Sequence, residues 1–289
     1  MSDDPFVTHR SLLFTVAYEM LGSAADAEDV VQETWLRWAE VDRTEVRDPR
    51  AYLVRIVTRQ ALNLLRTVSR RREEYVGEWL PEPLLTSPDI AEDVELAESV
   101  SIAMLTVLET LAPTERAVFV LREVFDVSYG EIGEALGKSP AAVRQIAHRA
   151  REHVAARRPR MEVDRSEQAE VLDRFMAALH TGQLEALLEV LAPDAVLVGD
   201  GGGLATTFRQ PVEGAARIAT LLSALERHAP GFSVVRAQIN GGPALVFDVP
   251  DDGRSVVTIE TVEGRVTRLY VMRNPQKLGR LADETALSR

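Results

Sequence analysis

The 289-residue chain contains no cysteine. Disulfides and thiolate-bound metals are therefore excluded outright, and its five histidines are scattered rather than grouped. It has no run of eighteen apolar residues, the length at which a helix becomes a candidate membrane span. The opening MSDDPFVTHR is acidic and lacks the apolar centre of a signal peptide, so the expected location is the cytoplasm. Positive charge is also scarce. Only 33 Lys and Arg stand against 45 Asp and Glu, a net charge of −12, which would repel nucleic acid if it were spread evenly.

It is not spread evenly. Residues 47–72 hold eight Arg and one Asp, and residues 137–160 hold seven Lys or Arg and one Glu. Two basic islands in an acidic protein suggest two separate contacts with a polyanion. The second island contains the most telling stretch, SYGEIGEALGKSPAAVRQIAHRAR, from Ser128 to Arg151. Ile132, Ala135 and Leu136 form an inward stripe there, with Glu131 and Glu134 outside it. Gly137 stops this helix as a left-handed cap, and Ser139-Pro140 starts another as N-cap and first-turn proline. In the second helix Val143, Ile146, Ala147 and Ala150 face inward. Ala141, Ala142, Arg144, Gln145, His148, Arg149 and Arg151 face outward, small at the start and basic beyond, which suits a helix entering a DNA groove. The stretch reads as a helix-turn-helix whose partner is duplex DNA. An alanine-rich surface helix is the plainer alternative, but it leaves the coincidence of two caps with one basic face unexplained.

The length leaves room for two or three domains. Residues 5–72 read as three helices, Phe6 to Leu21, Asp26 to Glu40 and Pro49 to about Arg72. The proline-rich segment that follows carries Tyr75, Trp79, Leu80, Leu84 and Leu85, too much apolar surface for a free linker, so it should dock against a domain. Helices are expected from about Ala91 to Leu111 and from Pro113 to Phe125, ahead of the helix-turn-helix, which ends near Arg158. After Arg160 come amphipathic helices over Glu167 to His180, Gln183 to Leu191 and Gly214 to His228. Between and after them AVLVGDG, FSVVRAQING, PALVFDVP, SVVTIETVEG and RVTRLYVMR read as strands. The expected fold is multidomain, two all-α modules followed by an α+β domain with a mostly antiparallel sheet.

Within the first module, DAEDVVQETWLRWAE buries Ala27, Val30, Val31, Thr34 and Trp38 and shows Asp29, Gln32, Glu33 and Arg37 on the opposite side. That strip suits a protein partner better than DNA, although a solvated face with a Glu33 to Arg37 pair is the plain reading of such a helix taken alone. The next helix spaces Arg55, Arg59, Asn63 and Arg66 along one stripe and ends in Arg70, Arg71 and Arg72, which fits contact with phosphates and unpaired bases.

The segments DAEDVVQETWLRW, AYLVRIVTRQALNLLR and LETLAPTERAVFVLREVFDVSYGEIGEALGKSPAAVRQIAHRAR, in that order, resemble the extracytoplasmic-function (ECF) sigma factors of bacterial RNA polymerase. The resemblance implies a region 2 helical bundle over residues 1–72, a linker over 73–92 and a region 4 helix-turn-helix over 93–160. It further implies that Asp29, Gln32 and Glu33 contact the β′ clamp helices of core polymerase. Arg55, Arg59, Asn63 and Arg66 would then lie at the minus-10 promoter element, and Ala141, Arg144, Gln145, His148 and Arg149 at the minus-35 element. Many members carry Asn and Asp where this chain has Arg59 and Asn63, so no minus-10 sequence preference is carried over.

Residues 161–289 resemble the SnoaL-like branch of the NTF2-like cone fold. WLPEP at 79–83, DGGG at 200–203 and NPQKL at 274–278 look like the motifs of ECF members that carry this extension. The resemblance implies an interdomain regulatory contact made by Trp79, Leu80, Pro81, Asp200, Gly201, Gly202, Gly203, Asn274, Pro275, Lys277 and Leu278, and no separate anti-sigma factor. Physical reading agrees, since an apolar linker needs a covering surface and three glycines let another backbone approach closely.

Asp194, Asp200, Asp248, Glu260 and His228 are the acid or base groups available to a pocket in this domain, and no catalytic spacing links them. Asp194 and Asp248 read as turn residues. No catalytic residue, metal or cofactor is expected, while a small-molecule ligand in the C-terminal domain stays open. The expected function is an ECF-type sigma factor that binds core RNA polymerase and directs promoter-specific initiation, its activity set by the fused domain. The alternatives are a one-component DNA-binding regulator with a ligand-sensing C-terminal domain and a cyclase-like enzyme tethered to a DNA-binding module.

Overall fold

The computed structural model describes residues 4–72, 74–157, 165–225, 231–250 and 252–289. The first module is three helices, α1 (Pro5–Leu21), α2 (Ala24–Ala39) and α3 (Pro49–Arg72). Asp4 caps α1 by accepting from the Phe6 N–H and also accepts from Trp38 Nε1 at 3.0 Å, which ties the start of α1 to the end of α2. Burial raises its carboxyl pKa, yet these donors and Arg43 hold it below the usual carboxylate range. Gly22, at φ 67°, ends α1 in the left-handed region that favours glycine. The stripe expected on α2 is buried from Ala27 to Trp38, and Asp29, Gln32, Glu33 and Arg37 are exposed.

The second module departs from the expected long helix over Ala91 to Leu111. Three short helices stand there, α4 (Pro88–Glu92), α5 (Val94–Ser99) and α6 (Ile102–Leu108). Asp93 and Ser101 cause the breaks. Each side chain accepts a backbone N–H three residues on, from Leu96 and Met104 respectively, and so starts a new helix. Likewise α7 (Pro113–Phe119) passes into a π-helical turn over Val120–Val124 rather than continuing as α-helix to Phe125. Then come α8 (Tyr129–Leu136) and α9 (Pro140–Arg157). Gly137 takes φ 65° and Ser139 Oγ accepts from the Ala142 N–H, as the spacing predicts, and Ser128 and Glu131 add a reciprocal capping box.

The C-terminal domain contains α10 (Arg165–Thr181), α11 (Leu184–Val190), β1 (Leu191–Asp200), β2 (Val212–Glu213), α12 (Ala215–Ser223), β3 (Ser233–Ile239), β4 (Gly242–Val249), β5 (Gly253–Val262) and β6 (Arg265–Met272). The sheet order is β2-β1-β6-β5-β4-β3, with β1 parallel to β6 and every other pairing antiparallel. Three helices lie on one face, over Leu197, Leu245, Ile259 and Leu269, giving the α+β domain with a mostly antiparallel sheet that was expected. The other face, with Val198, Val246, Val256 and Met272, packs against Leu80, Ile102, Ala103, Leu278 and Leu281. Both faces are thus buried, which explains strands so rich in β-branched residues. The short β2 escaped sequence reading, having only two residues. Arg158, Arg160 and His228 lie outside the described residues, as do the side chains of Arg70, Arg71 and Arg72.

Candidate interdomain latch and nucleic-acid interface

The three sequence motifs singled out above meet in space. Asp200, at the end of β1, is completely buried. Its Oδ1 accepts from the Tyr75 hydroxyl at 2.6 Å, and its Oδ2 from the Leu80 N–H at 2.9 Å and from Lys277 Nζ at 2.6 Å. Lys277 also donates to the Leu80 carbonyl and lies over the rings of Trp79 and Tyr75, 4.0 and 4.9 Å from their centroids. Asn274 donates to the Tyr75 hydroxyl at 2.7 Å, and burial followed by the Asp200 carboxylate pushes the pKa of that hydroxyl up. A buried ion pair is stable only when its remaining donors and acceptors are met. Here they are.

The glycines serve this contact differently from expectation. Gly201 accepts from Leu204 and Ala205 in a tight turn, and Gly202 and Gly203 take φ 59° and 72°. A Cβ on Gly202 would run into Asn274 Nδ2 and the Tyr75 hydroxyl, and one on Gly203 would press on Val76. What approaches the two later glycines is therefore side chain, not the backbone of another segment. Pro81 and Leu278 are buried, whereas Pro275 is exposed.

The rest of the linker joins all three modules. Glu82 is buried, and its Oε2 accepts from the Ala24 N–H at 2.7 Å at the start of α2, a helix N-terminus that favours negative charge. The Glu82 carbonyl accepts from the Tyr18 hydroxyl at 2.6 Å. The side chain of Asn240, between β3 and β4, is a hub. It donates to the Tyr18 hydroxyl and to the Val100 carbonyl, both at 2.7 Å, and accepts from the Leu84 N–H at 2.8 Å. Its φ of 53° and the following Gly241 fit a hairpin tip. Leu85 bridges Ile239 at the edge of the sheet, and Thr285 donates to the Leu85 carbonyl, so the end of the chain lies against the linker. Leu287 is buried in the helical core and the Ser288 N–H donates to Thr15 Oγ1.

The two candidate DNA-reading faces are treated unequally. Arg59 donates from Nε to the Ala135 carbonyl at 2.8 Å and from Nη2 to the Glu134 carbonyl at 2.7 Å, where α8 ends. Arg55 faces the Glu134 carboxylate at 3.5 Å. Half of the arginine stripe of α3 is thus engaged with the helix-turn-helix, while Asn63 and Arg66 are exposed. On α9, Ala141, Arg144, Gln145, His148 and Arg149 are all exposed. Deeper in the same seam, Arg116 of α7 is 1 % exposed and donates to the Glu19 carbonyl on α1 at 2.9 Å. It also pairs with Glu109. Burial raises the Glu19 pKa to about 8 and lowers that of Arg116 to about 9. Glu19 Oε1 accepts from Ser99 Oγ, but Glu19 Oε2 and Arg116 Nη2 are buried without hydrogen bonds.

The other carboxylates do not converge. Asp194 is exposed on β1, Asp248 pairs with Arg254 at 2.8 Å, and Glu260 accepts from Tyr270 at 3.1 Å. Among the described residues no group of three or more His, Asp or Glu is placed to hold a metal ion, and no helix is long and apolar enough to cross a membrane. A cavity of about 460 Å³ separates α5 and α6 from β5 and β6, lined among others by Ser101, Ile102, Thr258 and Tyr270.

Comparison with known proteins bears on the helical modules and on the whole chain. The profile of Sigma-70 region 2 matches residues 6–71, and that of Sigma-70 region 4 matches residues 101–154. The ECF RNA polymerase sigma factor SigJ of Mycobacterium tuberculosis is 39 % identical over 291 aligned residues, spanning 96 % of this chain and 93 % of that protein. The probable ECF RNA polymerase sigma factor SigI of the same species is 31 % identical, spanning 96 % and 94 %. The crystal structure of SigJ superposes with a TM-score of 0.77 at 35 % identity, over 94 % of this chain and 96 % of that one. Relatives of this kind do not favour the one-component regulator. With both sigma-70 regions in order and full-length likeness to such proteins, the chain belongs to the ECF RNA polymerase sigma factors.

Proposed function

We propose that this sigma factor binds core RNA polymerase through the exposed α2 face of Asp29, Gln32 and Glu33. Arg55, Arg59, Asn63 and Arg66 then contact the minus-10 element, and the outer face of α9 contacts the minus-35 element. Region 2 occupies residues 1–72, the linker 73–92, region 4 residues 93–160 and the regulatory domain 161–289. The C-terminal domain holds the two regions closed, with no chemistry of its own and no separate anti-sigma partner. A small molecule that enters the cavity between region 4 and the sheet is the remaining way in which a ligand could set this state.

One observation carries the regulatory part of this reading. Arg59, a residue of the minus-10 stripe, is spent on the end of α8 while Asp200, Tyr75 and Lys277 hold the intervening linker. Region 2 is thus partly covered by region 4 as long as the latch holds. In vitro transcription with core polymerase on a library of promoter fragments tests the reading. Specific initiation is expected from the full chain, and more of it from Asp200→Asn, which weakens the pairing with Lys277. Absence of initiation from either protein contradicts the sigma assignment, and equal initiation from both contradicts the latch.

A further inference from the structure

A cavity of about 460 Å³ lies where α5 and α6 of region 4 meet β5 and β6 of the C-terminal domain. Thr258 of β5 stands in its wall, paired with Ala244 on β4 and Tyr270 on β6. Ala244 and Tyr270 belong to the sheet face that packs against Leu80, Ile102 and Ala103, so the cavity opens between domains and not beneath α10 to α12. Both sides supply apolar wall, Ala97, Ile102 and Ala103 from the helices and Ile239 and Pro243 from the hairpin of β3 and β4. Thr258 is 9 % exposed, and its Oγ1 is buried with no hydrogen bond among the described residues. Other polar groups around it are already engaged. The Tyr270 hydroxyl donates to Glu260, which also faces Arg268 at 3.6 Å, and Ser101 Oγ donates to the Glu98 carbonyl and accepts from the Met104 N–H.

A buried hydroxyl without a partner is destabilising. A single water, whose share of liquid volume is about 30 Å³, would satisfy it without filling the space, and the volume falls instead in the range of small-molecule sites. Glu98 and Glu260, both partly buried in the lining, repel an anion held between them. We propose that this cavity binds a small, uncharged, largely apolar molecule carrying an alcohol or carbonyl group that meets Thr258, and that its occupant holds the sigma factor closed. The inference rests on the reading of the C-terminal domain as the element that keeps the two regions closed. The sign of the effect follows from the two walls. One belongs to region 4 and the other to the C-terminal domain, so only the closed chain offers both, and a ligand shifts the equilibrium toward the state it binds. At a hundredfold excess over its Kd, the ratio of closed to open chain rises about a hundredfold.

The test adds Prodan, an uncharged ketone on a naphthalene ring system whose emission shifts to the blue in apolar surroundings, to the full chain. The expected result is saturable, blue-shifted binding that naphthol displaces and naphthoate, its anionic counterpart, does not. Thr258→Val keeps the shape and removes the hydroxyl. It should weaken binding about fivefold while leaving the unliganded chain at least as stable to urea. Ala103→Met, which fills the cavity from α6, should abolish binding. With core polymerase present, the dye should lower initiation by the full chain but not by Ala103→Met. If the dye shows no saturable binding, or binding indifferent to both substitutions, the inference is overturned and the proposed function stands. If binding depends on Thr258 but initiation does not fall, closure by the ligand is overturned, and the proposed latch falls with it only if Asp200→Asn also leaves initiation unchanged.

Discussion

Two interfaces hold this molecule closed, and they are built to different standards. At the latch between linker and C-terminal domain, the buried carboxylate of Asp200 meets three donors, and Lys277 finds a carboxylate, a carbonyl and two aromatic faces. At the seam between regions 2 and 4, Glu19 and Arg116 are just as deeply buried, but each leaves one polar atom without a hydrogen bond. Burying a polar group without a partner costs about 1 to 3 kcal/mol, more when it is charged. The latch therefore resembles a contact made to hold, and the seam one made to open. The covered arginines of region 2 lie along the weaker interface.

The largest blow to this contrast should come from Asp200→Ala, which leaves the Lys277 ammonium in a mostly buried site without its counter-ion. Removing one partner of a buried pair typically costs about 3 to 5 kcal/mol. Urea unfolding should show an early transition of the C-terminal domain, with faster proteolysis of the linker. Asn240→Ala comes next. Losing the side chain that bridges Tyr18, Leu84 and Val100 should cost about 2 kcal/mol, read as faster amide exchange at Leu84.

Glu19→Gln addresses the seam. The pKa of Glu19 in the closed state is raised from 4.5 to about 8, chiefly by burial. An opened seam lets this carboxyl ionise near its ordinary value, while the closed form retains the proton. Closure should thus weaken as pH rises from about 5 to 8, and Glu19→Gln should flatten that profile in a fluorescence measurement of opening. A seam equally stable across this range would remove Glu19 from the account. The smallest effect belongs to Arg59→Ala. Its bonds to α8 are partly exposed, so stability should fall by no more than about 1 kcal/mol, while opening of promoter DNA by the polymerase complex drops more clearly.

How much of this was legible in the sequence follows the same division. The latch could be found because its residues fall in three compact motifs, and the caps of α8 and α9 because each is set by neighbours within a few positions. Glu33 and Arg37 likewise form the expected pair one helical turn apart, at 3.0 Å. The hub at Asn240 was hidden, since an Asn-Gly pair between strands is explained well enough as a turn, and its partner Tyr18 lies 222 residues away. Glu19 and Arg116 gave no sign either, because charged residues on amphipathic helices read as solvent-facing until a second module covers them. The breaks at Asp93 and Ser101 were missed for a local reason. Their side chains compete with the backbone for hydrogen bonds, and composition alone does not say which wins.

The central claim is that region 4 covers part of the DNA-contacting stripe of region 2 until the chain is opened. With no native cysteine to remove, spin labels can be attached to a cysteine pair introduced at the exposed positions Thr67 and Ala155 and the distance between regions read by electron resonance. One narrow, short distance is predicted for the free chain, with a second, longer one appearing on addition of core polymerase and, without polymerase, in Asp200→Ala. A distance distribution unchanged by polymerase would contradict the account.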